Sequence, residues 1–522
     1  MTGASLPIET DAAEKPPERA NGYRAILKSS ALIGTSSLVT IVFGIVRTKA
    51  LAMLLGPSSF GLIGAYTAIA DLSRSVAQMG VNASGVRQIA QAAATGDDVR
   101  TARTSLILKR LALGTACLGA LLLFLSSGLV SQFTFGTREH ATDIALLSLA
   151  VLFGVLAGGQ TALIQGLRRI SDLSRLTIIG AFAGTAASIA LVYFLRERGI
   201  AASLVAGAAI SAVAGWLYSR RIKLPPVSAT FAQSSSECAA LLKLGVAFVA
   251  GDLLVQLSAY LVRIMLLRDS GLAAAGLYQA AWTIGGLYVG FVLQSMSTDF
   301  YPRLAGCIKD KAAANLLVNQ QAAVSILLAG PGVIATLAFA PLVVHLLYSA
   351  KFDGAIEPLR WICFGMALRT ISWPMGFIVA ASGRQGIYFA AELAWTVVNV
   401  WLTWIFVSRA GATGAGFAFF VSYIFHALML LPVARYLTGF RWSAENLRLA
   451  LIYVGACTAM VAISSLLPAV YAVSLGSVLC AALTLQSAHR LASMSEVKSM
   501  PRLATMLARY SRGIRRAQGD MR

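Results

Sequence analysis

LLGPSSFGLIGAY (residues 54–66) and LLRDSGLAAAGLYQ (266–279) are one passage written twice. At an offset of 215 residues, Gly56 falls on Gly271 and Gly61 on Gly276. An apolar stretch with one polar stripe precedes each copy: Ser36, Thr40 and Arg47 before the first, Asp252, Gln256 and Arg263 before the second. Each trio is spaced i, i+4, i+11, which places its side chains on one face of a helix of 3.6 residues per turn. Two more pairs keep the register, ALIQGLRR (162–169) with IVAASGRQ (378–385) and GIAASLVAG (199–207) with GATGAGFAF (411–419). All offsets stay between 212 and 217, a constancy that chance glycines do not produce. Six helices separate the copies, an even number, so both halves run the same way and form parallel repeats about an axis along the membrane normal.

The composition says what these helices sit in. The chain has 522 residues, 57% hydrophobic and 12% charged, whereas a soluble globular chain carries about 45–50% apolar and 25% charged residues. About fourteen apolar stretches reach the roughly 20 residues that span a bilayer; the second is expected at 59–83, the third at 111–133 and the ninth at 318–348. The expected fold is an all-α polytopic membrane protein of about 14 transmembrane helices, two parallel six-helix repeats around a central cavity plus two extra C-terminal helices. Its expected parts are a polar cytoplasmic tail (1–28), a first lobe (29–218), a Pro- and Ser-rich cytoplasmic linker (219–237), a second lobe (238–436), helices 13 and 14 (437–487) and a basic cytoplasmic tail (488–522).

A net charge of +21 suggests nucleic acid in a soluble protein, but its placement here argues otherwise. With the N-terminus inside, thirty-one of the 43 Lys and Arg fall on the cytoplasmic side and six on the other. That is the positive-inside asymmetry, and it predicts both termini in the cytoplasm. The first 28 residues lack the apolar core and cleavage site of a secretory signal, so the first helix is the expected insertion signal. In the tail, Leu503, Met506, Leu507, Tyr510 and Ile514 share a helical face among arginines. This fits an interfacial helix on anionic lipid or, equally, a basic tail that only sets topology. The six cysteines have no metal or redox spacing and read as small hydrophobes.

Charges inside membrane helices are expensive and normally face a bundle interior or a watery cavity. Helix 2 carries Thr67, Asp71, Arg74 and Gln78 on one face. Asp71 and Arg74 read either as an ion pair holding helices together or as a cavity-lining pair; the nearby Arg47 and Lys49 favour the cavity, although Lys49 is close enough to a helix end to snorkel. Helix 10 has Arg369 near its centre and Arg360 towards the outer surface, expected as a headgroup contact. Helix 11 places Glu392 and Asn399 on one face, and helix 8 has a stripe of Gln279, Thr283, Gly286, Gly290 and Gln294, either tight packing or cavity wall. The central charges are Arg47, Arg74, Arg263 and Arg369 against Asp71, Asp252 and Glu392. Guanidinium suits bidentate phosphate and carboxylate recognition, so the expected solute is anionic, a diphosphate or an acidic sugar. Arg47 and Arg263 are expected to face each other across the cavity. No P-loop precedes any lysine, and the four histidines show no HExxH, so neither ATP hydrolysis, a cofactor nor a metal site is expected.

GLYQAAWTIGGLYVGFVLQSMSTDFYPRLA (276–305) resembles the eighth-helix segment of bacterial lipid-linked oligosaccharide flippases, and FGLIGAYTAIADL (60–72) is similar to the matching first-half stretch. These are O-antigen and enterobacterial-common-antigen translocases of the multidrug/oligosaccharidyl-lipid/polysaccharide exporter superfamily. The resemblance implies two six-helix lobes around a V-shaped cavity in the inner membrane. It also implies movement of an undecaprenyl-diphosphate-linked glycan to the periplasmic leaflet, alongside a polysaccharide polymerase and glycosyltransferases. Alternating access is the expected mechanism, with the four arginines attracting the substrate and Asp71, Asp252, Gln256 or Glu392 as polar or coupling sites for H+ or Na+. One departure stands out: Gly285 and Gly286 occupy positions where relatives often have a polar or acidic side chain. A cation-coupled multidrug exporter and a membrane glycan polymerase or ligase are the competing readings.

Overall fold

A computed structural model describes residues 17–227 and 231–493. The tail helix expected around 498–516 lies outside the described residues, as do residues 1–16 of the polar tail. Every regular element among the described residues is helical: α1 (Pro17–Leu54), α2 (Pro57–Gln78), α3 (Val81–Ala94), α4 (Asp98–Phe135), α5 (Ala141–Gly166), α6 (Ile170–Leu195), α7 (Gly199–Ser219), α8 (Phe231–Cys307), α9 (Lys311–Ala338), α10 (Ala340–Leu347), α11 (Ile356–Ala381), α12 (Gln385–Thr438), α13 (Ala444–Leu466) and α14 (Ala469–Ser493), with short 3-10 turns at 196–198 and 350–355.

Among the described residues ten helical runs are long and apolar enough to cross a membrane, and the three longest of them (170–219, 249–297 and 385–438) each contain two spans. α8 turns back at Gly271, whose φ of 81° and ψ of 176° only glycine adopts freely. α12 turns back at Ala410–Gly411, with Gly411 at φ 52°. Together with α2, which its polar face makes less apolar than these runs, this makes fourteen traverses among the described residues. The basic end of the bundle is punctuated by caps: Asp97 accepts from Arg100 N, Asp310 from Ala312 N and Ala313 N, and Ser443 from Asn446 N. Each satisfies an amide that the helix itself leaves without a partner.

Several boundaries differ from expectation for local reasons. α1 opens at Pro17, so residues 17–28 are already helical rather than tail. α2 stops at Gln78 because Met79 and Gly80 turn left-handed (φ 43° and 70°), and the run expected to end at 83 becomes a separate surface helix, α3. α8 begins at Phe231, inside the expected linker. The ninth stretch breaks after Ala338, and Pro341 opens α10, where its missing N–H and fixed φ suit a first turn.

In the first lobe α4 packs on α5, α5 on α7, α7 on α6 and α6 on α1; in the second, α11 packs on α12, α8 and α9. α13 and α14 lie against α9. The lobes meet where α2 crosses α8. There the two glycines matched by the repeat touch one another. A Cβ on Gly276 would lie 1.7 Å from Pro57 O and 2.9 Å from Gly61 N, and one on Gly61 would lie 2.2 Å from Leu272 O and 3.3 Å from Gly276 N. Equivalent residues of two parallel repeats meet only on the axis that relates them, so this contact marks that axis.

Candidate functional site

Around the glycine contact, the end of the bundle opposite the basic residues is closed by polar and aromatic contacts between the lobes. Lys49 Nζ donates to Tyr348 O (2.6 Å) and His345 O (3.3 Å). Arg268 donates to the carbonyls of Gln132 and Phe133 at the end of α4 (3.0 and 2.5 Å), where a helix leaves carbonyls free and a cation is favoured. The Phe60 ring packs edge-on against Tyr348 and Phe352, with centroids 5.3 and 5.2 Å away. Thr134 and Tyr260 share a buried hydrogen bond of 2.6 Å. Farther along α2, Ser75 donates to Asp252 Oδ2 of α8 (2.7 Å), one more contact between the lobes.

A cavity of about 530 Å³ lies in the first lobe, walled by α1, α2, α5, α6 and α7. Arg47, Asp71 and Arg74 line it with Thr40, Thr67, Thr161, Thr177, Thr185, Ser203 and Ser211, and among the described residues none that lines it is aromatic. Arg74 pairs with Asp71 at 2.7 Å, while Arg47 has no ion-pair partner among the described residues. Gly154 and Gly158 leave room for this chemistry: a Cβ would lie 3.0 Å from Arg74 Cδ at the first and 2.7 Å from Gln78 Nε2 at the second. A second cavity, about 470 Å³, lies in the other lobe between α8, α11 and α12. Asp252, Arg369 and Glu392 line it with His426, Ser372, three tryptophans (Trp282, Trp373, Trp395) and two tyrosines (Tyr388, Tyr423). His426 Nδ1 lies 3.1 Å from Ser372 Oγ.

The eight expected residues therefore separate into groups. Arg47, Asp71 and Arg74 share the first cavity; Asp252, Arg369 and Glu392 share the second. Arg263 and Gln256 line neither. Arg263 is buried, with Nε and Nη2 donating to Gln279 Oε1 (3.1 and 2.8 Å) and Nη1 to Ala259 O (2.8 Å). The polar helix-8 stripe is thereby used in part: Gln279 serves Arg263, and Thr283 bonds Gln279. Asn399 donates to Ser258 Oγ at 2.9 Å in the core instead of joining Glu392. Arg360 corrects the expected headgroup contact: only 9% exposed, it pairs with Glu357 on the first turns of α11. No cluster of three His, Cys, Asp or Glu among the described residues is arranged to hold a metal ion.

Sequence reasoning named Thr40 and Thr67 but missed the other five hydroxyls of the first cavity and the aromatic wall of the second. Both had a signal. Ser203, Gly207 and Ser211 repeat every fourth residue, and Tyr388, Glu392 and Trp395 fall at i, i+4, i+7, each a single helical face.

Two pseudo-equivalent helical lobes, joined along one seam and holding polar cavities at membrane depth, define a multi-pass membrane transporter. Residues 50–357 match the family described as polysaccharide biosynthesis protein, and the chain belongs to that family. It is 23% identical over 408 residues to the lipid III flippase of Escherichia coli strain K12, covering 77% of this chain and 96% of that protein. It is 22% identical to the lipopolysaccharide biosynthesis protein WzxC of the same strain, covering 76% and 77%. Among solved structures it is similar to the lipid II flippase MurJ in an inward closed conformation, with a TM-score of 0.67, 13% identity and coverage of 89% and 98%. A multidrug resistance MATE transporter in an inward-facing conformation aligns with a TM-score of 0.60 at 14% identity over 77% of this chain and 94% of that one.

Proposed function

We propose that this protein flips an undecaprenyl-diphosphate-linked oligosaccharide across the bacterial inner membrane for surface polysaccharide assembly. The observation that carries the reading is the first-lobe cavity, where two guanidinium groups stand against one carboxylate among seven hydroxyls. Five of those hydroxyls (Thr40, Thr177, Thr185, Ser203 and Ser211) donate to backbone carbonyls, so the guanidinium excess is what stabilises an anion that sheds part of its hydration, and the planar donors of arginine match diphosphate oxygens. The names borne by the related proteins support the same substrate class. Arg47 and Arg74 are the proposed primary diphosphate contacts. Arg369 contacts the rest of the substrate from the other lobe, and Arg263 acts through the seam it packs into. Lobes 29–218 and 238–436 rock against each other, meeting at the glycine contact when this end is closed and parting there when it opens, to expose the site alternately. The closed, less basic end faces the periplasm, which puts both termini in the cytoplasm. Asp71, Asp252, Gln256 or Glu392 takes up the H+ or Na+ that couples the cycle, and polymerase and glycosyltransferases act before and after it.

The test is a gene deletion complemented in turn by wild type, Arg47→Ala and Arg369→Ala. Wild type restores surface polysaccharide, whereas both variants reach the membrane at normal level yet accumulate the lipid-linked intermediate. Normal surface polysaccharide from both variants sinks the site assignment. Normal polysaccharide in the deletion itself, together with new sensitivity to drugs, sinks the function in favour of a multidrug exporter.

A further inference from the structure

The two cavities differ in kind. Among the described residues the first presents hydroxyls, glycines and guanidinium with no aromatic ring; the second is walled by aromatic faces. These rings are held in place by one another. Trp282 stacks on Tyr278 with centroids 6.0 Å apart and meets Phe419 edge-on at 5.1 Å, and Trp395 packs on Tyr423 at 5.5 Å. The charged groups among them are not consumed by the fold. Arg369 and Glu392 both line the space, yet neither guanidinium nor carboxylate has an ion pair or side-chain hydrogen bond among the described residues. At membrane depth such groups are expensive to leave without partners.

Resting on the flippase reading above, we infer that the second-lobe cavity is a saccharide site, separate from the diphosphate site of the first lobe. Rigid aromatic faces cover the apolar C–H faces of a pyranose ring. The Glu392 carboxylate, together with the Asp252 oxygen that Ser75 leaves open, accepts from its hydroxyls, and a guanidinium donates to its ring and hydroxyl oxygens. A volume of about 470 Å³ falls within the roughly 300–1,000 Å³ of small-molecule sites, which are mostly apolar with a few placed polar groups. Two carboxylates, Asp252 and Glu392, against one guanidinium select neutral or amino-bearing sugars and disfavour uronic acids. The diphosphate and the glycan are thus held by different lobes, and the substrate bridges the seam.

The experiment uses the full-length protein in nanodiscs and three probes: undecaprenyl diphosphate, the lipid-linked glycan extracted from the deletion strain, and tetraphenylphosphonium. Wild type binds the glycan-lipid more tightly than undecaprenyl diphosphate. Trp373→Ala and Glu392→Gln weaken the glycan-lipid on the order of tenfold, down to the affinity of undecaprenyl diphosphate, which they leave unchanged. Arg47→Ala weakens both lipids. If both second-lobe variants retain wild-type discrimination between the lipids, the saccharide site is refuted while the flippase reading stands. If wild type binds neither lipid, the flippase reading itself fails. Tight binding of tetraphenylphosphonium lost in Glu392→Gln, without discrimination between the lipids, assigns the cavity to organic cations and overturns the inference. Glu392→Gln preserves shape, and Trp373→Phe is the fallback where the alanine variant does not fold.

Discussion

Gly276→Ala adds one methyl group at the place where the lobes come nearest. The new Cβ would lie 1.7 Å from Pro57 O and 2.7 Å from Pro57 C, and real Cβ contacts essentially never fall under 3.0 Å. The obstacle is backbone, so no rotamer change relieves it; α2 and α8 must part by at least ~1.3 Å at this level. Overpacking of this kind costs about 1–3 kcal/mol. The cost is borne only by the arrangement in which the lobes are closed at this end, so the closed population drops by about 5- to 150-fold relative to any arrangement that has opened there. Phe60 and Phe352, with ring centroids 5.2 Å apart, report the change. In a Phe60→Cys/Phe352→Cys background, oxidative cross-linking in native membranes is efficient, and Gly276→Ala lowers it several-fold while surface polysaccharide falls in the same cells. Gly290→Ala, at a glycine with nothing within 4 Å, leaves both readouts unchanged. Undiminished cross-linking together with normal export in Gly276→Ala would refute the claim that this contact governs closure.

Three further outcomes follow from the same geometry. Ser75→Ala removes the donor to Asp252; because Asp252 is exposed, the loss is near the low end for a charged hydrogen bond, about 1 kcal/mol, and double electron–electron resonance between labels on α3 and α8 should show a broader distance distribution. Lys49→Met keeps the stem but removes the donor to Tyr348 O and His345 O, and should increase labelling of a cysteine placed at Phe352 by a membrane-impermeant maleimide, with no change in protein level. Gly285→Ala forces a Cβ to 2.7 Å from the buried Ile362 Cγ2 and costs about 1–2 kcal/mol in thermal unfolding, whereas the same change at Gly286, where Met366 Cε is 3.8 Å away, is neutral.

The last pair also shows what could be read from the sequence. Gly285 and Gly286 stand out as two small residues where a polar side chain is common, which invites a functional explanation. The structure supplies a steric one for Gly285, because the Ile362 side chain of α11 packs where a Cβ would stand, and a spacing pattern does not reveal which neighbour a glycine faces. The repeat and the spans were legible because hydropathy and matched glycines are properties of the chain alone. The Asp71–Arg74 pair was legible for the same reason, being three residues apart on one helix. The partners of Arg263, Asp252 and Lys49 were not, since Gln279, Ser75 and the Tyr348 carbonyl come from other spans and are fixed by how those spans pack. Arg47 and Arg263 match in the repeat but differ in use: the second copy offers Gln279 within reach, while the position preceding the first copy opens onto a cavity. Duplication fixed where the arginines stand, and later divergence of their neighbours set what each one touches.

The hairpin around Gly271 bears on how the chain enters the bilayer at all. Arginine at the centre of an inserting helix costs roughly 2.5–3.5 kcal/mol, a burden for a span leaving the ribosome by itself. Arg263 and its acceptors Ala259 O and Gln279 Oε1 belong to two spans joined by a one-residue turn. The pair can therefore partition into lipid as a single helical hairpin with the guanidinium already bonded, before any other helix of the second lobe has been made.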